Sequence, residues 1–192
     1  MSLAAASAPP LRAARPILLR GASVRNAMLW LFVFSGSVVK FEPSGYEFLF
    51  PIVALLFLAG GALSFHRSLA PLVAALAVLN VGGVLSVLPW AEETKSVIFV
   101  FISVYMAMTC LFYACLMLDD MKARLDTIKS AYAWTAAFAS VLGIIGYFDI
   151  GGTHELLTRN DRAMGLFKDP NVFGPFLVLP LVWLADDVIS GL

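Results

Sequence analysis

Four long stretches without a charged side chain dominate the sequence, at residues 48–65, 69–90, 97–118 and 131–148. An α-helix rises 1.5 Å per residue, so about 20 apolar residues cross a hydrocarbon core roughly 30 Å thick. Two shorter apolar runs, at residues 26–39 and 172–185, flank the four long ones. The pattern predicts an all-α protein, a polytopic transmembrane helical bundle with about six spans in residues 26–192 and a cytoplasmic tail at residues 1–25.

Composition supports a membrane protein and excludes several other classes. Hydrophobic residues make up 60% of the chain and charged residues 14%, whereas soluble domains average about 45–50% and about 25%. The formal net charge is zero, so no nucleic-acid partner is expected. Cys110 and Cys115 both lie in the apolar run at residues 97–118 and are interpreted as small hydrophobic residues. No metal-ligand or nucleotide-binding motif occurs, so the sequence predicts neither a metal site nor a cofactor.

The distribution of positive charges predicts a cytoplasmic N-terminus. With six spans, eight of the 13 Lys and Arg residues fall on the cytoplasmic side, as the positive-inside rule requires. The cytoplasmic set is Arg12, Arg15, Arg20, Arg25, Arg67, Lys122, Arg124 and Lys129. The remaining five are Lys40, Lys95, Arg159, Arg162 and Lys168.

Three of these five outside charges lie in one predicted loop, residues 149–171. Two interpretations stay open for this cluster of Arg159, Arg162 and Lys168. The four acidic residues of the loop could neutralise it and leave an ordinary solvated segment. Alternatively, the cluster binds an anion on the outer side of the membrane.

The end of this loop has the sequence of a helix start. Asp169 is a good N-cap, and Pro170 suits the first helical position, where a missing N–H costs nothing. The predicted helix begins within about two residues of Pro170, with its positive dipole end near Arg162 and Lys168. Unpaired N–H groups and two cations predict a phosphate or pyrophosphate site, with Gly165 allowing the loop to fold closely over the ligand. The alternative is a capped helix preceded by a turn.

Other features receive structural interpretations. The glycine pairs Gly60–Gly61, Gly82–Gly83 and Gly143–Gly146 predict close helix packing. Asn80, a lone amide in the third span, is expected to hydrogen-bond a neighbouring helix. His154 is interpreted as a plain loop residue.

Residues 162–174, RAMGLFKDPNVFG, resemble the signature of the O-antigen ligase family and the related polysaccharide polymerases. The matching positions are Arg162, Gly165, Phe167, Pro170, Asn171 and Gly174. The resemblance implies a multi-pass protein of the bacterial cytoplasmic (inner) membrane that acts in lipopolysaccharide or exopolysaccharide biosynthesis.

The implied reaction is glycosyl transfer from an undecaprenyl diphosphate carrier, without metal or nucleotide. A ligase transfers the glycan to a lipid A–core acceptor, and a polymerase transfers it to another carrier-linked repeat unit. By the same resemblance, Arg162 binds the pyrophosphate, and the Pro170–Asn171 pair is structural.

The chain also departs from the family pattern. Family members are considerably longer and carry a large outside loop that supplies further arginines and a histidine. We therefore expect an N-terminal portion with no identified catalytic base, so that catalysis by this chain alone is doubtful. A hypothesis of another class is a non-catalytic membrane subunit or a transporter fragment.

Overall fold

The computed structural model describes residues 17–41, 43–118 and 120–191, and residues 1–16 of the predicted tail lie outside this part. The regular secondary structure of the described residues is helical apart from one short hairpin. Its α-helices are α1 (Ile17–Ser35), α2 (Gly45–Ala59), α3 (Ala70–Val87), α4 (Thr94–Met117), α5 (Met121–Tyr147), α6 (His154–Leu157) and α7 (Pro170–Ser190). The hairpin strands are β1 (Thr158–Arg159) and β2 (Arg162–Ala163), and short 3-10 turns at Arg67–Leu69 and Leu88–Trp90 flank α3.

Four helical segments of the described chain are long and apolar enough to cross a membrane. They are Arg67–Trp90, Thr94–Met117, Met121–Tyr147 and Pro170–Ser190. The apolar α2, at 15 residues, is shorter. The predicted class, an all-α membrane protein with several spanning helices, is confirmed at this level.

Two helices begin well before the apolar runs that predicted them. Helix α1 starts at Ile17, inside the predicted tail, and α5 starts at Met121, ten residues before the fifth run. The charged residues at these starts interrupt the hydrophobic run without interrupting the helix, because Arg and Lys are good helix formers. Asp120 caps α5, its carboxylate accepting from the Ala123 N–H at 3.3 Å.

Helix α5 is the centre of the bundle, in contact with α1, α4, α6, α7 and the hairpin. The main core lies between α1, α2 and α4 and is built of large apolar side chains: Leu29, Phe32, Phe50, Val53, Phe57, Phe112 and Leu116. Helix α3 has no buried residue and packs mainly against α4. Its apolar surface is therefore available to lipid or to another helix.

Contacts at the helix ends show which loops share a side of the bundle. Between the α1–α2 loop and the α5–α7 loop, the Val39 N–H donates to the Leu166 carbonyl at 3.1 Å, and the Lys40 ammonium donates to the Leu156 carbonyl. At the opposite end, the Arg124 guanidinium donates to the Asn26 amide oxygen and lies 5.1 Å from the centre of the Phe57 ring. Helices α1 and α5 therefore run in the same direction across the bundle, and α2 runs in the opposite direction.

Helix α7 contains a proline whose missing N–H is compensated by a neighbouring helix. Pro180 leaves the Phe176 carbonyl without its intrahelical donor, a costly vacancy in an apolar environment. The Tyr132 hydroxyl of α5 donates to that carbonyl at 3.1 Å. This hydrogen bond ties α7 to α5 in the middle of both helices.

We expect Tyr132→Phe to lower the free energy of unfolding by about 1 kcal/mol, because the Phe176 carbonyl loses its donor while the aromatic packing is kept. The measurement is unfolding of the purified protein in detergent. Tyr147→Phe is the matched control, since the Tyr147 side chain is exposed. Equal unfolding free energies for the two variants would contradict the assigned role of Tyr132.

Two interpretations of residues inside the spans require correction. Asn80 donates to the Leu76 carbonyl of its own helix at 2.8 Å, so the predicted bond to a neighbouring helix is wrong. Gly60 and Gly61 end α2, because Gly60 is the C-cap and Gly61 has φ +60°. No atom lies within 4 Å of a Cβ built at Gly82 or Gly83. Close packing occurs at the pair on α5 and also at Gly60, where an added Cβ would lie 2.9 Å from the guanidinium of Arg25 on α1.

Candidate functional site

A short β-hairpin forms the centre of the loop between α5 and α7. Its turn residues, Asn160 and Asp161, have φ +51° and +56°, as a two-residue hairpin turn of type I′ requires. Asn and Asp adopt this conformation more readily than most residues. Arg159 pairs directly with Arg162 in the strand register, so the two side chains lie on the same face of the hairpin.

Small residues on α5 hold this loop against the bundle. A Cβ added to Gly146 would lie 2.3 Å from Leu157 Cβ, and one added to Gly143 would lie 3.0 Å from the Phe173 ring. Gly165 has φ +57° and sits against the Ala139 carbonyl, 3.2 Å from an added Cβ. Gly165 therefore packs on α5, which differs from the predicted fold over a ligand.

A second buried cluster fixes the start of α7 to α5. Phe167 and Phe173 pack with Ala139, and their ring centres are 5.6 Å apart. Phe167 therefore anchors the loop. Gly174, by contrast, has no atom within 4 Å of an added Cβ.

Helix α7 begins at Pro170 with Asp169 as its N-cap, as predicted. The Asp169 carboxylate accepts from the Asn171 N–H at 2.7 Å. The Val172 and Phe173 N–H groups donate to the Asp169 carbonyl at 3.0 and 3.2 Å. The predicted unpaired N–H groups are therefore occupied, and that part of the argument for an anion site is wrong. Any anion site here depends on side chains.

The two hairpin arginines have different surroundings. Arg159 donates to the Lys168 carbonyl at 3.3 Å and lies 3.7 Å from the Asp169 carboxylate, so its charge is offset by the helix cap. Arg162 is exposed. Among the described residues, the Arg162 guanidinium has no hydrogen-bond or ion-pair partner. Lys168 is also exposed and precedes the cap directly.

His154 lies beside the hairpin turn, a position that the sequence analysis did not foresee. Its Nδ1 is 3.2 Å from the Gly146 carbonyl oxygen, and its Nε2 is 3.4 Å from a carboxylate oxygen of Asp161. Its backbone N–H donates to the Asp149 carboxylate at 3.0 Å. The imidazole thus lies between the Gly146 carbonyl, at the end of α5, and the carboxylate of Asp161, which directly precedes Arg162.

An apolar cleft of about 320 Å³ opens between α5 and α7, next to the hairpin. Its walls include Gly143, Tyr147, Ala163 and Phe173. Because Ala163 directly follows Arg162, this cleft adjoins the hairpin arginine along the chain. Within the described residues, no group of three or more His, Cys, Asp or Glu side chains is arranged to hold a metal ion.

The arrangement is suited to binding an anion that carries an apolar chain. Arg162 supplies an exposed guanidinium, and the neighbouring cleft supplies an apolar surface.

No protein-family model, curated protein or solved structure matches the chain.

Proposed function

We propose that this chain forms part of an O-antigen ligase-like glycan transferase of the bacterial cytoplasmic membrane. The donor is a polysaccharide on undecaprenyl diphosphate, and the acceptor is a lipid A–core or another glycan. The observation that carries the proposal is Arg162, an exposed cation without a described partner on a hairpin held firmly against α5. The resemblance of residues 162–174 to the family signature supplies the reaction.

The charge balance of the hairpin supports an anionic ligand. Two like charges directly opposite each other on a hairpin destabilise it, and Asp169 offsets only the charge of Arg159. In the proposed complex, a diphosphate bound at Arg162 offsets the charge of Arg162. A guanidinium can grip two phosphate oxygens at once, and this geometry favours Arg over Lys at such a contact. Lys168, on the same loop, is the second proposed contact.

The apolar cleft beside Ala163 supports a lipid-linked anion over a soluble one. A prenyl chain attached to a diphosphate at Arg162 can enter the space between α5 and α7, where the walls are almost entirely apolar. Binding of the chain there removes apolar surface from water. The diphosphate then stays at the membrane surface within reach of the hairpin.

The proposal includes six spans with a cytoplasmic N-terminus. Helices α1 and α2 join the four long apolar segments as spans in this topology, and residues 149–171 lie outside. The positive-charge distribution supports this orientation. The contact between Val39 and Leu166 supports it as well, because both residues lie in loops assigned to the same side.

Cysteine labelling in intact cells tests this topology. In a background without Cys110 and Cys115, we expect Thr153→Cys to react with a membrane-impermeant maleimide applied from outside. Lys122→Cys, on an exposed position at the opposite end of α5, is expected to react only after the membrane is permeabilised. Labelling of Thr153→Cys only from the cytoplasmic side would contradict the six-span topology.

The function is tested by transfer in vesicles that contain the full-length protein. A synthetic undecaprenyl diphosphate glycan is the donor, with or without a lipid A–core acceptor. Glycan on the lipid A–core identifies a ligase, and longer carrier-linked glycan identifies a polymerase. Neither product, with correctly inserted protein, would contradict a transferase and favour the non-catalytic membrane subunit.

A further inference from the structure

The hairpin that carries Arg162 is closed at its base by two backbone hydrogen bonds. The Leu157 carbonyl, just before β1, accepts from the N–H groups of Met164 and Gly165, just after β2, at 2.9 and 3.0 Å. These bonds join the chain entering the hairpin to the chain leaving it. The place of the hairpin on the bundle therefore depends on the contacts that hold this base.

Two consecutive residues of the loop between α1 and α2 bind the two sides of the base. On the side that follows β2, the Val39 N–H donates to the Leu166 carbonyl at 3.1 Å, and the Val39 side chain packs against the buried cluster at the start of α7. On the side that precedes β1, the Lys40 ammonium donates to the Leu156 carbonyl. The α1–α2 loop thus spans the base from one side of the hairpin to the other.

The charge of Lys40 gives its contact a strength that a neutral side chain would not supply. A hydrogen bond from an ionised donor is stronger than one between neutral groups. In the six-span topology Lys40 lies on the outside, where the positive-inside rule disfavours Lys and Arg. A role in holding the Leu156 carbonyl accounts for a positive charge at this position.

We propose that Lys40 is a positioning residue for Arg162, an inference that rests on the proposed function. The ammonium holds the Leu156 carbonyl, and the hydrogen bonds of the adjacent Leu157 carry this restraint into the hairpin. Lys40 contacts the protein, and Arg162 contacts the diphosphate. A charge that is already in place stabilises its ligand without the cost of ordering it, so a loosened hairpin lowers the affinity for the donor.

Hydrogen exchange of the Met164 and Gly165 amides tests the restraint without reference to function. Lys40→Met keeps an unbranched side chain and removes the charge. We expect both amides to exchange about 10-fold faster in this variant, because the base opens more readily. Lys40→Arg is expected to restore slow exchange, since a guanidinium can also donate to the Leu156 carbonyl. Unchanged exchange in Lys40→Met would overturn the proposal.

Lys95→Met is the matched control, because Lys95 is an exposed lysine in the first turn of α4 and is assigned to the same side of the membrane. We expect it to leave the exchange of both amides unchanged. Faster exchange of the same size in Lys95→Met would overturn a specific role for Lys40.

Donor binding by the full-length protein tests whether Lys40 acts through Arg162. Lys40→Met is expected to weaken the affinity for a labelled undecaprenyl diphosphate glycan by about 10-fold, and Lys40→Arg is expected to bind nearly normally. In an Arg162→Ala background Lys40→Met should have little further effect, because the two residues act as one unit. An equal loss in both backgrounds would overturn positioning through Arg162.

The proposed function fails separately, if Arg162→Ala leaves donor affinity unchanged. The exchange of Met164 and Gly165 still decides in that case whether Lys40 holds the hairpin.

Discussion

Arg162→Ala is expected to lower glycan transfer by about 100- to 1000-fold, the usual effect of removing a charge contact made in the transition state. The leaving diphosphate gains charge as the bond to the sugar breaks, so a guanidinium beside it stabilises the transition state most. Arg162→Lys is expected to be nearly as damaging, because an ammonium cannot bind two oxygens in the fixed geometry of a guanidinium. The assay is transfer from a carrier-linked donor by the full-length protein.

Arg159→Ala is the matched control, because Arg159 is the register partner of Arg162 on the same hairpin. Its contacts are to Asp169 and to the Lys168 carbonyl. An exposed ion pair of this kind contributes at most about 1 kcal/mol, so we expect only a mild loss of transfer. Near-normal transfer by Arg162→Ala, at normal membrane expression, would contradict a role for Arg162 in transfer. It would favour the alternative interpretation, a capped helix preceded by a turn.

Gly146→Ala is expected to be the most damaging single methyl addition among the glycines of α5. The added Cβ would lie 2.3 Å from Leu157 Cβ, so either the helix or the loop must move. Overpacking of this kind costs about 1–3 kcal/mol. A loop displaced by about 1 Å would also misplace Arg162, and such a shift can lower a reaction rate by about 100-fold.

Gly82→Ala separates this clash from the general effect of adding a methyl group to a helix. No atom lies within 4 Å of a Cβ at Gly82, and alanine is favoured over glycine in helices by about 1 kcal/mol. We expect Gly82→Ala to be neutral or stabilising in unfolding measurements and normal in transfer. Equal stability of the two variants would show that the loop does not pack on α5 at Gly146.

The features predicted correctly from the sequence are those that depend on nearby residues. Asp169 and Pro170 define the start of α7 because capping and the missing proline N–H act within one helical turn. Long apolar runs likewise indicate membrane-spanning helices by themselves. Helices α1 and α5 extend beyond their apolar runs, because charged residues end an apolar run without ending a helix.

The candidate site itself depends on contacts that the sequence pattern does not contain. The hairpin strands have two residues each, too few for an alternating pattern, although Asn160–Asp161 is a recognisable turn signal. Without the register, the pairing of Arg159 with Asp169 and the isolation of Arg162 could not be predicted. The contact between His154 and Gly146 requires the loop to turn back on α5.

Donor binding tests most directly whether Arg162 contacts the diphosphate. The measurement is the affinity of the full-length protein in lipid nanodiscs for a labelled undecaprenyl diphosphate glycan. We expect Arg162→Ala to weaken binding by about 10- to 100-fold, since a hydrogen bond to a charged group contributes about 1.5–3 kcal/mol, while Arg159→Ala binds nearly as well as the unaltered protein. Unchanged affinity in Arg162→Ala would contradict a diphosphate site at the hairpin.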